Sequence, residues 1–114
     1  MTVDVFAGVR VSDLDAAVRW YSSLLGSDES FRPNDEEAAW TLEEHAHVYV
    51  LLDPDRAGSG LLTLFVSDLD ASLRTAASND ITPTTQETYD NGVRKATFHD
   101  PDGNEIGLGG GPAS

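Results

Sequence analysis

The chain of 114 residues contains no cysteine. Disulfide bonds, thiolate metal sites and a cysteine nucleophile are therefore excluded. Basic residues are scarce, with 7 lysines and arginines against 20 aspartates and glutamates, which gives a formal net charge of −13. Because phosphate binding requires clustered lysine and arginine, we expect no nucleic-acid partner.

Long apolar runs are also missing. No run approaches the length of a membrane span, and the first residues do not combine positive charge with an apolar core. We therefore expect a cytoplasmic protein without a membrane partner. The excess of acidic residues is compatible with a cationic ligand, but a solubilising acidic surface explains it more simply.

One hexapeptide, VSDLDA, occurs twice, at residues 11–16 and again at 66–71. Each copy follows an apolar run that predicts a strand and precedes a 3.6-residue apolar period that predicts a helix. In the first copy we expect Ser12 and Asp15 to cap the helix, and their counterparts to do so in the second. The offset of 55 residues is about half the chain and indicates two similar halves rather than two unrelated helices.

Each predicted helix is followed by three predicted strands. In the first half these lie near Phe31 and in the stretches EEAAWTLEE and HAHVYVLLD, and Pro33 restricts the first of them to a sheet edge. In the second half they are TPTTQETY, GVRKATFHD and NEIGLGG, joined by turns that contain Gly92 and Gly103.

These elements predict an α+β fold built from two tandem βαβββ modules. We expect the modules to span approximately residues 3–56 and 60–109 of a single domain that covers residues 1–114. Residues 110–114, rich in glycine, are expected to form a flexible tail.

The paired modules, the VSDLDA junctions and the ending FHDPDGNEIGLGG resemble the vicinal oxygen chelate superfamily. This superfamily includes glyoxalase I, extradiol dioxygenases, and fosfomycin- and bleomycin-resistance proteins. The resemblance covers about residues 3–109. It implies a curved mixed sheet that forms an open cup with helices on its outer face, and a homodimer whose cups are completed between chains. The DPDGN element is expected to make a tight turn rather than to catalyse.

Metal-dependent members of this superfamily place histidine and glutamate ligands on the first and last strands of each module. The resemblance transfers these positions to Phe6, Leu61, Gly107 and a residue near Val50. None of these side chains can coordinate a divalent ion. We therefore predict no metal and no cofactor, and we do not expect metal-dependent glyoxalase or dioxygenase activity.

The three histidines are candidates for a different site. His45 and His47 are two residues apart on a predicted strand and share a face, but a third metal donor is not apparent at matching spacing. A polar pair at a strand end, beside Glu43 and Glu44, is the simpler interpretation. His99 adjoins the DPDGN turn, either as a general base or as an ordinary polar residue.

The concave surface of the cup is predicted to be mainly apolar and aromatic, as small-molecule pockets usually are. Phe6 and Trp40 could stack on a flat ligand, and Arg10 could bind an anionic group. The candidate ligand-binding residues are Phe6, Arg10, Trp40, Val50, Leu61, Thr63, Tyr89, His99 and Gly107.

Two functions are compatible with such a surface, and a dimeric scaffold protein with neither function is a third, weaker alternative. The first is a metal-independent binding protein that sequesters a small organic molecule, an antibiotic or a metabolite, similar to the bleomycin-resistance branch. The second is a lyase- or isomerase-type enzyme that uses Arg10, His99 or Glu105 as acid–base groups without a metal. No nucleophile with its base is recognisable, so no catalytic residue is assigned and the binding protein is favoured.

Overall fold

The structure, a computed structural model, describes residues 1–112. A strand, a helix and three strands follow one another twice along the chain, which confirms the α+β fold of two βαβββ modules. The elements are β1 (Val5–Val11), α1 (Leu14–Leu25), β2 (Phe31–Asn34), β3 (Glu37–Glu43), β4 (Ala46–Leu52), a 3-10 turn (Pro54–Arg56), β5 (Leu61–Phe65), α2 (Leu69–Ser78), β6 (Thr85–Thr88), β7 (Arg94–His99) and β8 (Glu105–Gly110).

The strands form two mixed sheets with the same order. The first sheet runs β1-β4-β3-β2 and the second runs β5-β8-β7-β6. In each sheet the first and last strands of the module pair in parallel, and the remaining pairs are antiparallel. β2 is an edge strand with only one neighbouring strand. Pro33, which has no backbone N–H, is therefore tolerated there.

The helix starts differ from the sequence prediction. Asp13 caps α1, because its side chain accepts a hydrogen bond from the Ala16 amide at 3.0 Å, and α2 begins in the same way. The predicted cap formed by Ser12 and Asp15 is therefore wrong. An aspartate directly before the helix already satisfies a free amide. Ser12 instead donates its backbone N–H to the Asp102 carboxylate of the second module at 2.9 Å.

One face of both sheets contributes to a common core with the helices. Val9 and Val11 of β1 are 4% and 1% exposed, and Tyr21 of α1 is 1% exposed. The second module adds Phe98 and Ile106, which are also buried. Within residues 1–112 neither helix is long and apolar enough to cross a membrane.

The DPDGN turn joins the two modules. Asp100 is buried, and its Oδ2 accepts hydrogen bonds from the Tyr21 hydroxyl at 2.7 Å and from Asn104 Nδ2 at 2.9 Å. The Asn104 side chain also donates to the Arg10 carbonyl at 2.8 Å and accepts from the Gly60 amide at 2.7 Å. The turn thus attaches the end of the second module to the first strand, the first helix and the linker.

The buried Tyr21 phenol is expected to make the stability of the protein depend on pH in alkaline solution. Burial, and then the Asp100 carboxylate, raise the pKa of the Tyr21 phenol far above its ordinary value. Above about pH 10 the unfolded chain loses this proton and the folded protein keeps it, so the free energy of unfolding should fall by up to about 1.4 kcal/mol per pH unit. Urea unfolding between pH 9 and pH 11.5 measures this slope. In the Tyr21→Phe variant this contribution to the slope should be missing; equal slopes in both proteins would contradict the prediction.

The predicted tail from residue 110 begins too early. Gly110 is the last residue of β8, pairs with Arg94 of β7 and is buried. A Cβ at this position would lie 2.6 Å from the Cβ of Leu69, so glycine is needed for the strand to pass close to α2. Residues 113 and 114 lie outside the described range.

Candidate functional site

The face of the first sheet opposite the helices carries aromatic side chains. Because Val9 and Val11 point into the core, the alternating residues Phe6, Gly8 and Arg10 point away from it. Phe6 is 49% exposed, and its ring stacks on His47 of the neighbouring strand β4, with centroids 4.3 Å apart.

This face contains a pocket of about 390 Å³. Phe6 lines it together with Phe31 and Tyr49, whose ring centroids each lie 6.4 Å from that of Phe6 in edge-to-face orientation. Ring edges and faces therefore surround a space suited to a flat apolar group. The lining residues are Phe6, Phe31, Pro33, Glu37, Ala39 and Tyr49, and we call this space the aromatic pocket.

A glycine shapes the wall of the aromatic pocket. Gly8 pairs with Tyr49, and a Cβ on Gly8 would overlap the Tyr49 ring. The phenol can therefore lie across the strand only because residue 8 has no side chain.

The corresponding face of the second sheet carries both apolar and polar side chains. Leu61, Thr63 and Phe65 of β5 are exposed, the two apolar side chains by 68% and 69%. His99 of β7 lies on the same face, with its Nδ1 2.9 Å from the Thr84 hydroxyl and its Nε2 4.0 Å from a Glu105 oxygen.

Another glycine lies in this second face. Gly107 of β8 pairs with Thr63. An added Cβ at Gly107 would stand 2.7 Å from Lys95 Cε and 3.2 Å from Thr63 Oγ1. The Lys95 side chain therefore occupies the space that a side chain at residue 107 would fill.

The strand registers locate the fourth metal-ligand position of the resembled superfamily. Gly8 pairs with Tyr49 in the first sheet, just as Thr63 pairs with Gly107 in the second. Tyr49 is therefore the counterpart of Gly107. The predicted position, near Val50, is thus Tyr49, and Val50 itself does not line the cup, because it is fully buried on the helix side, opposite Val9.

Trp40 is also misplaced in the sequence prediction. It is 1% exposed, pairs with the buried Val48, and its ring centroid lies 5.8 Å from that of Tyr21. Its indole N–H donates to the Ser27 carbonyl at 3.2 Å. Trp40 is a core residue on the helix side of β3 and does not line the cup.

The other candidate residues are spread over the two sheets. Arg10 pairs with Asp53 at 3.1 Å, so its guanidinium already has a carboxylate partner. Tyr89 is 45% exposed in the turn between β6 and β7 and does not line the aromatic pocket. A ligand-binding role for Arg10, Leu61, Thr63, Tyr89, His99 and Gly107 stays a prediction.

The residues at the superfamily's metal positions do not fit a metal ion. Phe6, Leu61 and Gly107 offer no donor, and a single phenol from Tyr49 cannot replace a set of three or four ligands. The Lys95 ammonium group beside Gly107 would in addition repel a cation.

The histidine pair has a partner that the sequence did not indicate. The Asp4 carboxylate lies 2.6 Å from His45 Nδ1 and 3.4 Å from His47 Nε2. Hydrogen bonds, first with His45 and then with His47, hold the pKa of Asp4 below its usual value. In the part of the chain that the structure describes, no three histidine, aspartate or glutamate side chains are arranged to hold a metal ion.

The sequence matches a known family over almost its whole length. Residues 2–108 match the Glyoxalase/Bleomycin resistance protein/Dioxygenase superfamily. The chain belongs to this superfamily. The topology of the two sheets and two helices agrees with that membership. A search of curated proteins found no match.

Solved structures of the superfamily superimpose on the whole molecule. A glyoxalase/bleomycin resistance protein from Catenulispora acidiphila DSM 44928 is 48% identical, with a TM-score of 0.93 over 97% of this chain and 100% of that one. An antibiotic-binding protein from Streptomyces sp. CB03234 is 25% identical, with a TM-score of 0.76 over 99% and 98%. A bleomycin-binding protein, solved in complex with bleomycin, is 21% identical and shares the fold, with a TM-score of 0.77 over 96% and 98%.

Proposed function

We propose that this superfamily member is a metal-independent binding protein that sequesters a small organic molecule with a flat aromatic part, such as an antibiotic or an aromatic metabolite. The observation that carries the proposal is the aromatic pocket, in which Phe6 occupies a position used for a metal ligand elsewhere in the superfamily. Antibiotic binding by a 25% identical relative supports the same class of ligand. A cytoplasmic location stays a prediction from the sequence.

The pocket has the composition expected for such a ligand. Two phenylalanines and a tyrosine supply ring faces and edges, and Glu37 is its only charged lining residue. Flat molecules bind between such rings mainly through burial of apolar surface, with a few polar contacts that set their orientation.

We further propose that the protein is a homodimer. The concave faces of the two sheets, which we call the first and second half-cups, together enclose the ligand. The end strand β5 carries exposed apolar side chains outside the aromatic pocket: Leu61 is 68% exposed and Phe65 69%. A second copy of the chain could cover these residues in an isologous interface. Light scattering coupled to size-exclusion chromatography measures the mass in solution, and a mass near 12.2 kDa would contradict the dimer.

A thermal-shift screen of planar aromatic antibiotics, with the neutral probe 2-naphthamide, tests the binding proposal. A ligand present at 100 times its dissociation constant should raise the free energy of unfolding by about 2.7 kcal/mol. The screen is run with and without Ni²⁺, Zn²⁺ and Mn²⁺, and the shifts should not depend on these ions.

Phe6→Ala should weaken binding of a ligand from this screen by about ten- to a hundredfold, because burial of a phenylalanine against the ligand is worth about 1.5–3 kcal/mol. Val5→Ala is the matched control: Val5 is 58% exposed on the same strand but points to the opposite face. Titration calorimetry measures both affinities. Equal affinity of the Phe6→Ala variant and the unsubstituted protein would contradict binding in the aromatic pocket.

An enzyme without a metal is the second candidate. His99 and Glu105 form a cross-strand pair on the concave side of the second sheet, with Nε2 and Oε1 4.0 Å apart. Both side chains are nearly half exposed, at 42% and 45%, which leaves them in contact with solvent rather than in a closed active site. Conversion of a bound ligand that is lost in a His99→Ala variant would favour this candidate.

A further inference from the structure

The second half-cup contains the only lysine of the chain, Lys95. It is half-buried, and its side chain runs from β7 over Gly107 of β8, the counterpart of a metal-ligand position. An ideal Cβ on Gly107 would be 2.7 Å from Lys95 Cε and 3.5 Å from Nζ. The ammonium group therefore stands where a residue-107 side chain would reach into the cup.

The charge surroundings of Lys95 are unusual for so acidic a protein. The chain has 20 acidic residues, yet over residues 1–112 no carboxylate forms an ion pair with Lys95. Glu87 pairs with it across β6 and β7, and Glu105 lies further along β8, but neither is within 4.0 Å of its nitrogen. Arg10, the other cation on a concave face, is already paired with Asp53.

We propose that Lys95 binds an anionic oxygen of the ligand, so that the ligand is a planar aromatic molecule carrying a carboxylate or an ionised phenol. This inference rests on the proposed function, in which the two half-cups enclose one molecule. An ammonium–oxygen contact is a charge-assisted hydrogen bond, about twice as strong as a neutral one. The packing of the lysine stem over Gly107 also reduces the side-chain entropy that is lost on binding.

Gly107 takes part in this arrangement through its lack of a side chain. A methyl group at residue 107 would collide with the lysine stem and move the ammonium group, although lysine itself would be retained. The backbone of Gly107 is not among the positive-φ glycines, so alanine can adopt its conformation.

Two probes of the same shape test the proposal: 2-naphthoate carries a carboxylate, and 2-naphthamide replaces it with a neutral amide. Titration calorimetry should show that the unsubstituted protein binds 2-naphthoate at least about tenfold more tightly. Lys95→Met should abolish this preference, because it should weaken binding of 2-naphthoate much more than binding of 2-naphthamide, whose amide oxygen accepts only a weaker hydrogen bond from an ammonium group. Gly107→Ala should reduce the preference, and Lys95→Arg should retain part of it.

The control for charge is Arg19→Met, which removes one positive charge from an exposed position on α1 and should keep the full preference. A second readout uses the single lysine. Reductive methylation with ¹³C-formaldehyde labels only Lys95 and the terminal amine in NMR spectra and preserves their charge. 2-Naphthoate should shift the Lys95 signal and leave that of the terminal amine in place.

The outcomes separate this inference from the proposed function. Equal binding of both probes, or a preference that survives in Lys95→Met, would overturn the role of Lys95 and leave the aromatic pocket intact. If neither probe binds, or if binding is unaffected by Phe6→Ala, the proposed function itself is contradicted, and the inference is overturned with it.

Discussion

Replacing Asn104 by alanine is expected to lower the free energy of unfolding by at least about 3 kcal/mol, because it leaves several buried or partly buried polar groups without partners. Asn104 is fully buried. Its amide nitrogen donates to the Arg10 carbonyl and to Asp100, and its oxygen accepts from the Gly60 and Gly58 amides. Each partner that becomes buried and unsatisfied costs about 1–3 kcal/mol, and the cavity adds to this loss.

Urea unfolding followed by tryptophan fluorescence measures this change, since Trp40 is buried in the common core. Asn91→Ala is the matched control, because Asn91 is exposed in the turn between β6 and β7 and makes one hydrogen bond, to the Val93 amide at 3.0 Å. We expect this control to lose less than about 1 kcal/mol. A loss of less than about 1 kcal/mol in Asn104→Ala as well would show that the Asn104 network contributes little to stability.

The same network has a consequence for the candidate site. Asn104 connects the second module to β1, the strand that carries Phe6, and to the linker that precedes β5, the strand that carries Leu61. The DPDGN element therefore fixes the relative position of the two sheets, although its residues do not line the aromatic pocket. A prominent sequence motif thus determines how the two modules are arranged.

The fold could be predicted from the sequence because two kinds of local signal agree. The repeated VSDLDA segments show the internal duplication, and the apolar periods and turn residues mark each element. The error at the helix starts arose because Ser12 and Asp13 are both good caps and the sequence does not indicate which one has another partner. That partner, Asp102, is 90 residues away in the chain.

The site was harder to predict because the face of the sheet on which a side chain lies depends on the register of strand pairing. A shift of one residue moves a side chain to the opposite face of a sheet, so Val50 was chosen where Tyr49 lines the pocket. Trp40 was assigned to the cup for its aromatic character, whereas the pairing of β3 with β4 places it in the core. Neither register can be read from local composition.

Two neighbours of glycines, Tyr49 and Lys95, were not among the candidate ligand-binding residues, and the glycines were the available signal. Tyr49 lies over Gly8, and Lys95 lies over Gly107. A glycine on the concave face of a strand leaves space for a long side chain from an adjacent strand, which suggests that such pairs should be sought in related sequences. Phe31 was missed because its strand, interrupted by Pro33, gave a weak pattern.

Ni²⁺ and Zn²⁺ are expected to leave the melting temperature of the unsubstituted protein unchanged and to stabilise a variant in which the superfamily's donors are restored. That variant carries Phe6→His, Tyr49→Glu, Leu61→His and Gly107→Glu, with Lys95→Met to remove the ammonium group. Imidazole and carboxylate donors at these four positions form a ligand set suited to divalent ions. At 100 times the dissociation constant, the ion should add about 2.7 kcal/mol to the free energy of unfolding.

The same variant with Lys95 retained is the control for electrostatics. A positive charge beside residue 107 should oppose the ion and pair with the introduced glutamate, so its metal affinity should be lower. Thermal-shift measurements with and without a chelator compare the metal-induced stabilisation of all three proteins. Stabilisation of the unsubstituted protein by either ion would contradict metal-independent binding. A restored variant that folds but does not respond would instead contradict the assignment of Tyr49 and Gly107 as counterparts, or the meeting of the two half-cups around one site.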